Sequence, residues 1–250
     1  MSGSNGERVA LVTGGAHRIG AAIARELHRA GCHVIVHYRH SGEAAARLLR
    51  ELEAIRHGSC SSLQADLCAP DAARQLAEGV QQRSARLDLL VNNASAFYAT
   101  PLGSVTEAAW NELFDSNLKG AFFLSQSLAP ALARSGGAIV NIVDVHAEIP
   151  LPQHVVYGMA KAGLAMMTRS LAVELGPGVR VNGVAPGAIL WPEQPNAVLS
   201  AAHADTLLAQ TALKRMGTPE DIAGAVRYLG LEAPYVTGQV LAVDGGRNLY

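Results

Sequence analysis

Short apolar runs recur along this chain, separated by longer segments in which apolar residues return every three to four positions. The runs cover 9–13, 33–37, 61–65, 88–91, 138–143, 179–184 and 239–243, and most are rich in Val, Ile and Leu. Apolar side chains on consecutive positions predict strands covered on both faces, as in a parallel sheet. The periodic segments predict helices over 19–30, 43–56, 70–83, 107–133, 155–175 and 219–230. Such alternation predicts one doubly wound α/β domain: a parallel seven-stranded sheet with helices on both faces and right-handed crossovers. No repeat, low-complexity tract or linker divides the 250 residues.

The rhythm breaks at 185–212, which opens with Pro186-Gly187, holds Trp191-Pro192 and Pro195, and lacks a clear strand. A connection this long is usually functional, so residues 186–212 are read as a lid over a ligand crevice, with a short helix around 204–210. A surface insertion without a role is the alternative. Composition narrows the class. Twenty Lys and Arg against 21 Asp and Glu leave a net charge of −1, with no basic footprint for nucleic acid or an anionic membrane. Charged residues are 16% and apolar ones 49%, which excludes a mainly disordered chain. Cys32, Cys60 and Cys68 form no CxxC pair and no His-paired spacing, so neither a disulfide framework nor a metal is expected. Residues 1–8 are small and polar, and no apolar run reaches membrane-span length. A soluble, cytoplasmic protein is expected.

Directly after the first strand the chain reads Thr13-Gly14-Gly15-Ala16-His17-Arg18-Ile19-Gly20 and enters a helix. Small residues allow a sharp turn and let backbone N–H groups approach a pyrophosphate at the helix N-terminus. That context makes the fold Rossmann-type, with Gly14, His17, Arg18 and Ile19 as candidate cofactor residues. At the end of the second strand, an NAD-binding fold carries an acidic residue for the ribose hydroxyls. Here the chain reads His37-Tyr38-Arg39-His40-Ser41 instead. A guanidinium suits a 2′-phosphate that a carboxylate would repel. NADPH/NADP+ is therefore favoured over NAD(H), with Tyr38, Arg39, His40 and Ser41 around it; Arg39 as a solvated loop charge is the alternative.

Tyr157 and Lys161 lie one turn apart near the start of a predicted helix. A nearby ammonium stabilises phenolate and lowers the tyrosine pKa toward working pH. Tyr157 is thus the expected proton donor, with Lys161 as its partner and as a hydrogen-bond donor to the cofactor ribose.

Together with Asp66-Leu67, Asn92-Asn93-Ala94, Asn117 and Pro186-Gly187, these elements resemble the short-chain dehydrogenase/reductase family over almost the whole chain. The resemblance implies that Asp66 and Leu67 flank the adenine, and that Asn93 and Ala94 support the cofactor and the central strand. It also implies that Asn117 holds a water linked to Lys161 in a proton relay, and that Pro186 and Gly187 border the cofactor. Read from the residues alone, Asp66 could cap a helix and Asn117 could satisfy backbone inside one.

Two departures carry more information than the matches. Family members ordinarily place glycine where Arg18 stands, and serine thirteen residues before the tyrosine, where Asp144 stands. A serine hydroxyl donates to a carbonyl oxygen as negative charge develops. An ionised aspartate does not donate, and it opposes an incipient alkoxide. A carboxylate is better suited to a nitrogen heterocycle, whose ring nitrogen must gain a proton as hydride reaches the adjacent carbon.

With His37–Ser41, Asn92–Tyr98 and Val143-Asp144, these substitutions resemble the pteridine reductases of the family. The resemblance implies a pterin or folate substrate, sandwiched between Phe97 and the nicotinamide. It further implies that Ser95 contacts the polar edge of that ring or a cofactor phosphate. Arg18 would reach the pyrophosphate and the substrate, and Asp144 and Tyr157 would deliver the proton. The reaction would be NADPH-dependent reduction of a C=N bond in a dihydropterin or dihydrofolate, with fully oxidised pterins a further substrate. Taken alone, Phe97 reads as loop packing, Arg18 as a solvated helix-start charge and Asp144 as a strand-end cap. Trp191 either covers the substrate or packs, and His146 and His154 flank the site without an assigned role. Arg39-His40 reverses the His-Arg order of parasite pteridine reductases, which leaves open which of the two meets the 2′-phosphate.

The 155–175 helix carries Val155, Val156, Met159, Leu164, Met166, Met167, Leu171 and Val173, more apolar surface than packing on its own sheet needs. The family resemblance implies a homotetramer through the 107–133 and 155–175 helices. The tail 244–250 is expected at a second subunit contact. Two other readings stay open: an NADPH-dependent carbonyl reductase of 3-oxoacyl type, and a non-catalytic NADP(H)-binding regulator.

Overall fold

The apolar runs lie side by side in one sheet. The computed structural model describes residues 7–189 and 208–249. Strands β1 (Val9–Val12), β2 (His33–Tyr38), β3 (Cys60–Gln64), β4 (Leu89–Asn92), β5 (Ala138–Ile142), β6 (Arg180–Pro186) and β7 (Val240–Val243) pair in the order β3-β2-β1-β4-β5-β6-β7. Every pairing is parallel. The expected doubly wound seven-stranded sheet is therefore present, with strand ends within one or two residues of the predicted ones.

Consecutive apolar residues in the strands serve two cores. Ala10, Val12, Val34 and Val36 pack with Ile19, Ile23 and Leu27 of α1 (Arg18–Arg29), Leu48 and Leu52 of α2 (Gly42–Ile55), and Ile222 and Val226 of α7 (Pro219–Arg227). Val9, Leu11 and Ile35 face the other way. They meet Leu76 of α3 (Ala72–Arg83), Leu124, Leu128 and Leu132 of α5 (Gly120–Ser135), and Ala172 of α6 (Val155–Glu174). Each fully buried Leu or Ile contributes about 1.5–3 kcal/mol relative to exposure, so both faces of the sheet are held.

Two predicted helices need correction. The 107–133 segment is not one continuous helix. It runs as α4 (Glu107–Phe114), a π-helical turn at Asp115–Lys119, and then α5. Asn117 sits in the turn, and its Nδ2 donates to the Leu113 carbonyl at 2.9 Å, supplying a side-chain partner where the regular ladder is interrupted. Likewise the 219–230 helix ends at Arg227 and passes into a π-helical turn at Tyr228–Glu232. The Arg180 guanidinium donates to the Leu229 and Gly230 carbonyls of that turn, each at 2.7 Å.

Strand β6 continues through Pro186, so the start of the expected 186–212 lid belongs to the sheet. Ile189 bridges Gly217 beyond it. Residues 190–207, including Trp191 and the start of the predicted 204–210 helix, lie outside the described residues; Leu208 and Ala209 are helical. The tail folds back on the returning segment: Leu213 N–H donates to the Gly245 carbonyl at 3.0 Å. Asp244 braces the tail by accepting from the N–H groups of Gly246 and Asn248.

Strand order reverses between β1 and β4, which opens a crevice outside the carboxyl ends of the strands. The sequence-derived site residues Gly14, Arg39, Asp66, Asn93, Asp144 and Gly187 all follow strand ends there. Among the described residues no helix is long and apolar enough to cross a membrane, and no group of three or more His, Cys, Asp or Glu side chains could hold a metal ion.

Candidate active site

The turn after β1 is built for close approach. Gly14 adopts φ +59°, and a Cβ on Gly20 would lie 2.2 Å from the Gly14 carbonyl oxygen. Asn93 ties the turn to β4: its Nδ2 donates to the carbonyls of Thr13 at 2.9 Å and Gly14 at 3.1 Å. The Thr13 hydroxyl oxygen accepts from the N–H groups of Asn93 and Ala94 at 2.9 and 3.0 Å. At the start of α1, His17 stands in the capping position without a side-chain cap, so the helix N-terminus faces the crevice with its N–H groups in the manner that suits pyrophosphate. Arg18 takes φ +49°, a left-handed conformation that costs a non-glycine residue about 1–2 kcal/mol. Glycine is the unstrained choice there, so retaining arginine is costly. Ile19 is buried in the core, and only its backbone faces the turn.

The ends of β2 and β3 form the second part of the cradle. Arg39 is exposed but paired: its Nε lies 3.0 Å from Asp66 Oδ2, and Gln64 Nε2 donates to its carbonyl at 2.9 Å. Asp66 Oδ1 accepts from the Cys68 N–H at 3.0 Å, so it closes a local turn as well. Tyr38 packs on Ala16, Ala44 and Ala45. His40 is exposed, and Ser41 precedes α2 without a side-chain cap. Leu67 packs close to Gly120, where a Cβ would come within 3.0 Å of it. A Cβ on Gly187 would meet Asp244 Cα at 2.6 Å, so glycine lets β6 leave the sheet beside the tail. This set of open helix terminus, glycine turn and basic loop fits a nicotinamide dinucleotide.

The proton-transfer residues meet where α6 crosses the end of β5. Tyr157 Oη donates to Asp144 Oδ2 at 2.6 Å, while Asp144 Oδ1 accepts from the His146 N–H at 2.9 Å. The carboxyl group therefore caps the turn after β5 and engages the phenol at once. Burial, and then the charge and hydrogen bond of Asp144, hold the Tyr157 phenol far above the usual tyrosine range, with Ser95 pulling weakly the other way. This corrects the expectation that Lys161 lowers the phenol's pKa. Lys161 Nζ lies 5.6 Å from the ring centre and donates to the Ile142 carbonyl at 2.9 Å, whereas the carboxylate is in direct contact.

Asn117 is buried. Its amide donates to the carbonyls of Ala96 and Leu113, each at 2.9 Å, and its Oδ1 accepts from the Ser95 hydroxyl at 2.6 Å. The Asn117 side chain thus holds the loop after β4. Ser95, expected at a ligand, is engaged with Asn117 in this structure.

Burial pushes the Lys161 ammonium down to about 8 from 10.5, against the attraction of Asp144. Between those values the unfolded chain binds a proton that the folded chain does not, so stability rises with pH through that window. Lys161→Met is expected to melt higher than the wild type at pH 7 and to lose turnover. The melting gap narrows as pH is raised from 8 towards 10.5; a gap independent of pH contradicts the buried-charge account.

Phe97 is 57% exposed, yet its ring is held on two sides. It stacks on His154 at 4.7 Å between centroids and 14° between planes, and it meets Tyr157 edge-on at 4.8 Å. His154 Nδ1 lies 2.8 Å from the Pro152 carbonyl, which orients the imidazole. The sequence offered no role for His154, and only its adjacency to α6 hinted at one. His146 Nδ1 lies 3.0 Å from the Ile149 carbonyl and belongs to the turn.

A family profile described as enoyl-(acyl carrier protein) reductase matches residues 14–248. The chain is 36% identical over 254 residues to the 3-oxoacyl-[acyl-carrier-protein] reductase of rhamnolipid biosynthesis in Pseudomonas aeruginosa, covering 97% of this chain and 96% of that one. It is 35% identical over 247 residues to a 3-oxoacyl-[acyl-carrier-protein] reductase of Synechocystis, covering 97% and 98%. A solved structure from Sinorhizobium meliloti 1021, described as a short-chain alcohol dehydrogenase, superposes with a TM-score of 0.91 at 33% identity, covering 97% of this chain and 96% of that chain. The chain belongs to the short-chain dehydrogenase/reductase family and is an oxidoreductase of that family. These relatives do not indicate the pteridine reductase subgroup.

Proposed function

We propose that this protein is an NADPH-dependent pteridine reductase that reduces a C=N bond of a dihydropterin or dihydrofolate. One observation carries the reading: Asp144 occupies the hydroxyl donor's place and accepts the Tyr157 proton at 2.6 Å. The Gly14 turn, the Arg39 loop and Lys161 would hold NADPH, which would supply the hydride when bound. Tyr157, kept a phenol by burial and by Asp144, gives its proton to the ring nitrogen beside the reduced carbon. The buried Lys161 ammonium offsets the charge that the Tyr157–Asp144 pair then carries. Phe97, 57% exposed although stacked on His154, supplies aromatic surface for the heterocycle.

The names of the relatives favour a second reading, reduction of a 3-oxoacyl or other carbonyl group, better than the first. Under it Ser95, whose hydroxyl bears on Tyr157, would supply the neutral donor that Asp144 cannot. Oxidation of NADPH with dihydrobiopterin, dihydrofolate and an acetoacetyl thioester separates the two. Turnover of the pterins over the thioester is expected; the reverse selects the carbonyl reading. Tight NADPH binding with no turnover selects a regulator.

A homotetramer through α4–α5 and α6 accompanies this reading. Phe123 and Met166 are large apolar side chains left 45% and 57% exposed on those helices. The double variant Phe123→Asp/Met166→Asp is expected to lower the mass seen by light scattering; an unchanged mass places the interface elsewhere.

A further inference from the structure

His37 interrupts the buried apolar run of β2 and is itself only 2% exposed. Its imidazole sits between two backbones. The Gly14 N–H points at Nδ1 from 3.2 Å, and Nε2 lies 3.1 Å from the Ala65 carbonyl. A peptide N–H can only donate and a peptide carbonyl can only accept. The ring must therefore accept at Nδ1 and donate at Nε2, which is the neutral tautomer with its hydrogen on Nε2. Burial agrees, holding the His37 pKa below the ordinary histidine value against the opposing pull of the Ala65 hydrogen bond and Asp66.

The contacts join the segments that line the cofactor cradle. Gly14 belongs to the turn proposed for the pyrophosphate. Ala65 immediately precedes Asp66, whose carboxylate lies 3.0 Å from Arg39, the residue proposed for the 2′-phosphate. The His37 backbone adds a further tie, its carbonyl accepting from the Gly15 N–H at 2.9 Å. Next along β2, the Tyr38 carbonyl accepts from the Ala65 N–H at 3.1 Å.

We propose that His37 is a positioning residue for the dinucleotide, whose ring holds the Gly14 turn and the Ala65–Asp66 loop in register so that the cradle is formed before the cofactor arrives. Preorganisation of this kind raises affinity by removing an ordering cost from the binding step. The inference needs only a bound dinucleotide, and it stands whichever substrate is reduced.

Two variants divide the ring's contacts. In His37→Asn the amide oxygen takes the place of Nδ1 and accepts from Gly14. In His37→Gln the longer amide reaches the Nε2 position and serves Ala65, leaving Gly14 without its acceptor. The readouts are direct fluorescence titration with NADPH and the melting temperature of each variant. Each variant breaks the ring's bridge at one end, so both are expected to bind NADPH about tenfold more weakly than the wild type, the worth of one such hydrogen bond. The two are expected to melt together. NADPH affinity within about threefold of the wild type in either variant overturns the proposal. Should either variant fail to fold, 15N spectra of the wild-type histidines decide. An Nε2–H tautomer for His37 already present in the free protein and kept when NADPH is added supports it, and an Nδ1–H tautomer, or an Nε2–H tautomer that forms only with NADPH, overturns it.

Discussion

Tyr157→Phe is expected to abolish turnover while NADPH still binds. The hydroxyl is the proton source in contact with Asp144, and Phe97 packs edge-on against the same ring. Removing it deletes the donor yet keeps the aromatic wall, so the loss falls on the chemical step and not on assembly of the site. Loss of a positioned general acid lowers rate by a factor on the order of 10²–10⁴. Single-turnover reduction, followed by the absorbance of NADPH, gives the number. Activity close to wild type would mean that Asp144 or Ser95 delivers the proton alone.

Asp144→Ser is expected to move the enzyme between chemistries. The carboxylate holds the phenol proton and lends its charge to the pair, which suits a ring nitrogen that becomes N–H. It opposes a carbonyl oxygen that gathers negative charge, where one well-placed donor is worth about 10²–10³ in kcat. Serine in its place supplies a donor and removes the repulsion. Pterin reduction should therefore fall, chiefly in kcat, and ketone reduction should rise. The turn after β5 also loses the cap that Asp144 provides to the His146 N–H, and a serine hydroxyl can take over that bond. The melting temperature should thus change little. If the substitution leaves the pterin-to-ketone ratio unchanged, Asp144 is a cap and nothing more.

Much of this architecture is readable from local pattern. Consecutive Val, Ile and Leu in the strands require cover on both faces, and that requirement alone separates this sheet from an antiparallel one. The pairing of Asp144 with Tyr157 came from the family resemblance and not from local pattern, and the structure joins the two at 2.6 Å. What escaped the pattern depends on long-range contact. The π-helical turn at Asn117 keeps apolar residues near helical spacing, so periodicity passes over it; the break shows only in where Asn117 sends its amide. The ion pair of Arg39 with Asp66 escaped the sequence because the two follow different strands and meet only in the fold. The stacking of His154 on Phe97 joins residues 57 positions apart that no local rule connects. Lys161 was expected to govern the phenol, whereas burial first and then the Asp144 carboxylate in contact at 2.6 Å govern it. His37 left a visible signal, a lone polar residue inside a buried run, but its meaning required knowing which backbones it touches.

A crystal structure with NADP+ and a pterin-ring analogue bound tests the account most directly. It should show the heterocycle stacked on Phe97, a ring nitrogen within hydrogen-bond reach of Tyr157 Oη, and the carboxyl group of Asp144 still on that hydroxyl. An analogue seated elsewhere, with Asp144 turned from Tyr157 into an ion pair outside the crevice, would contradict it.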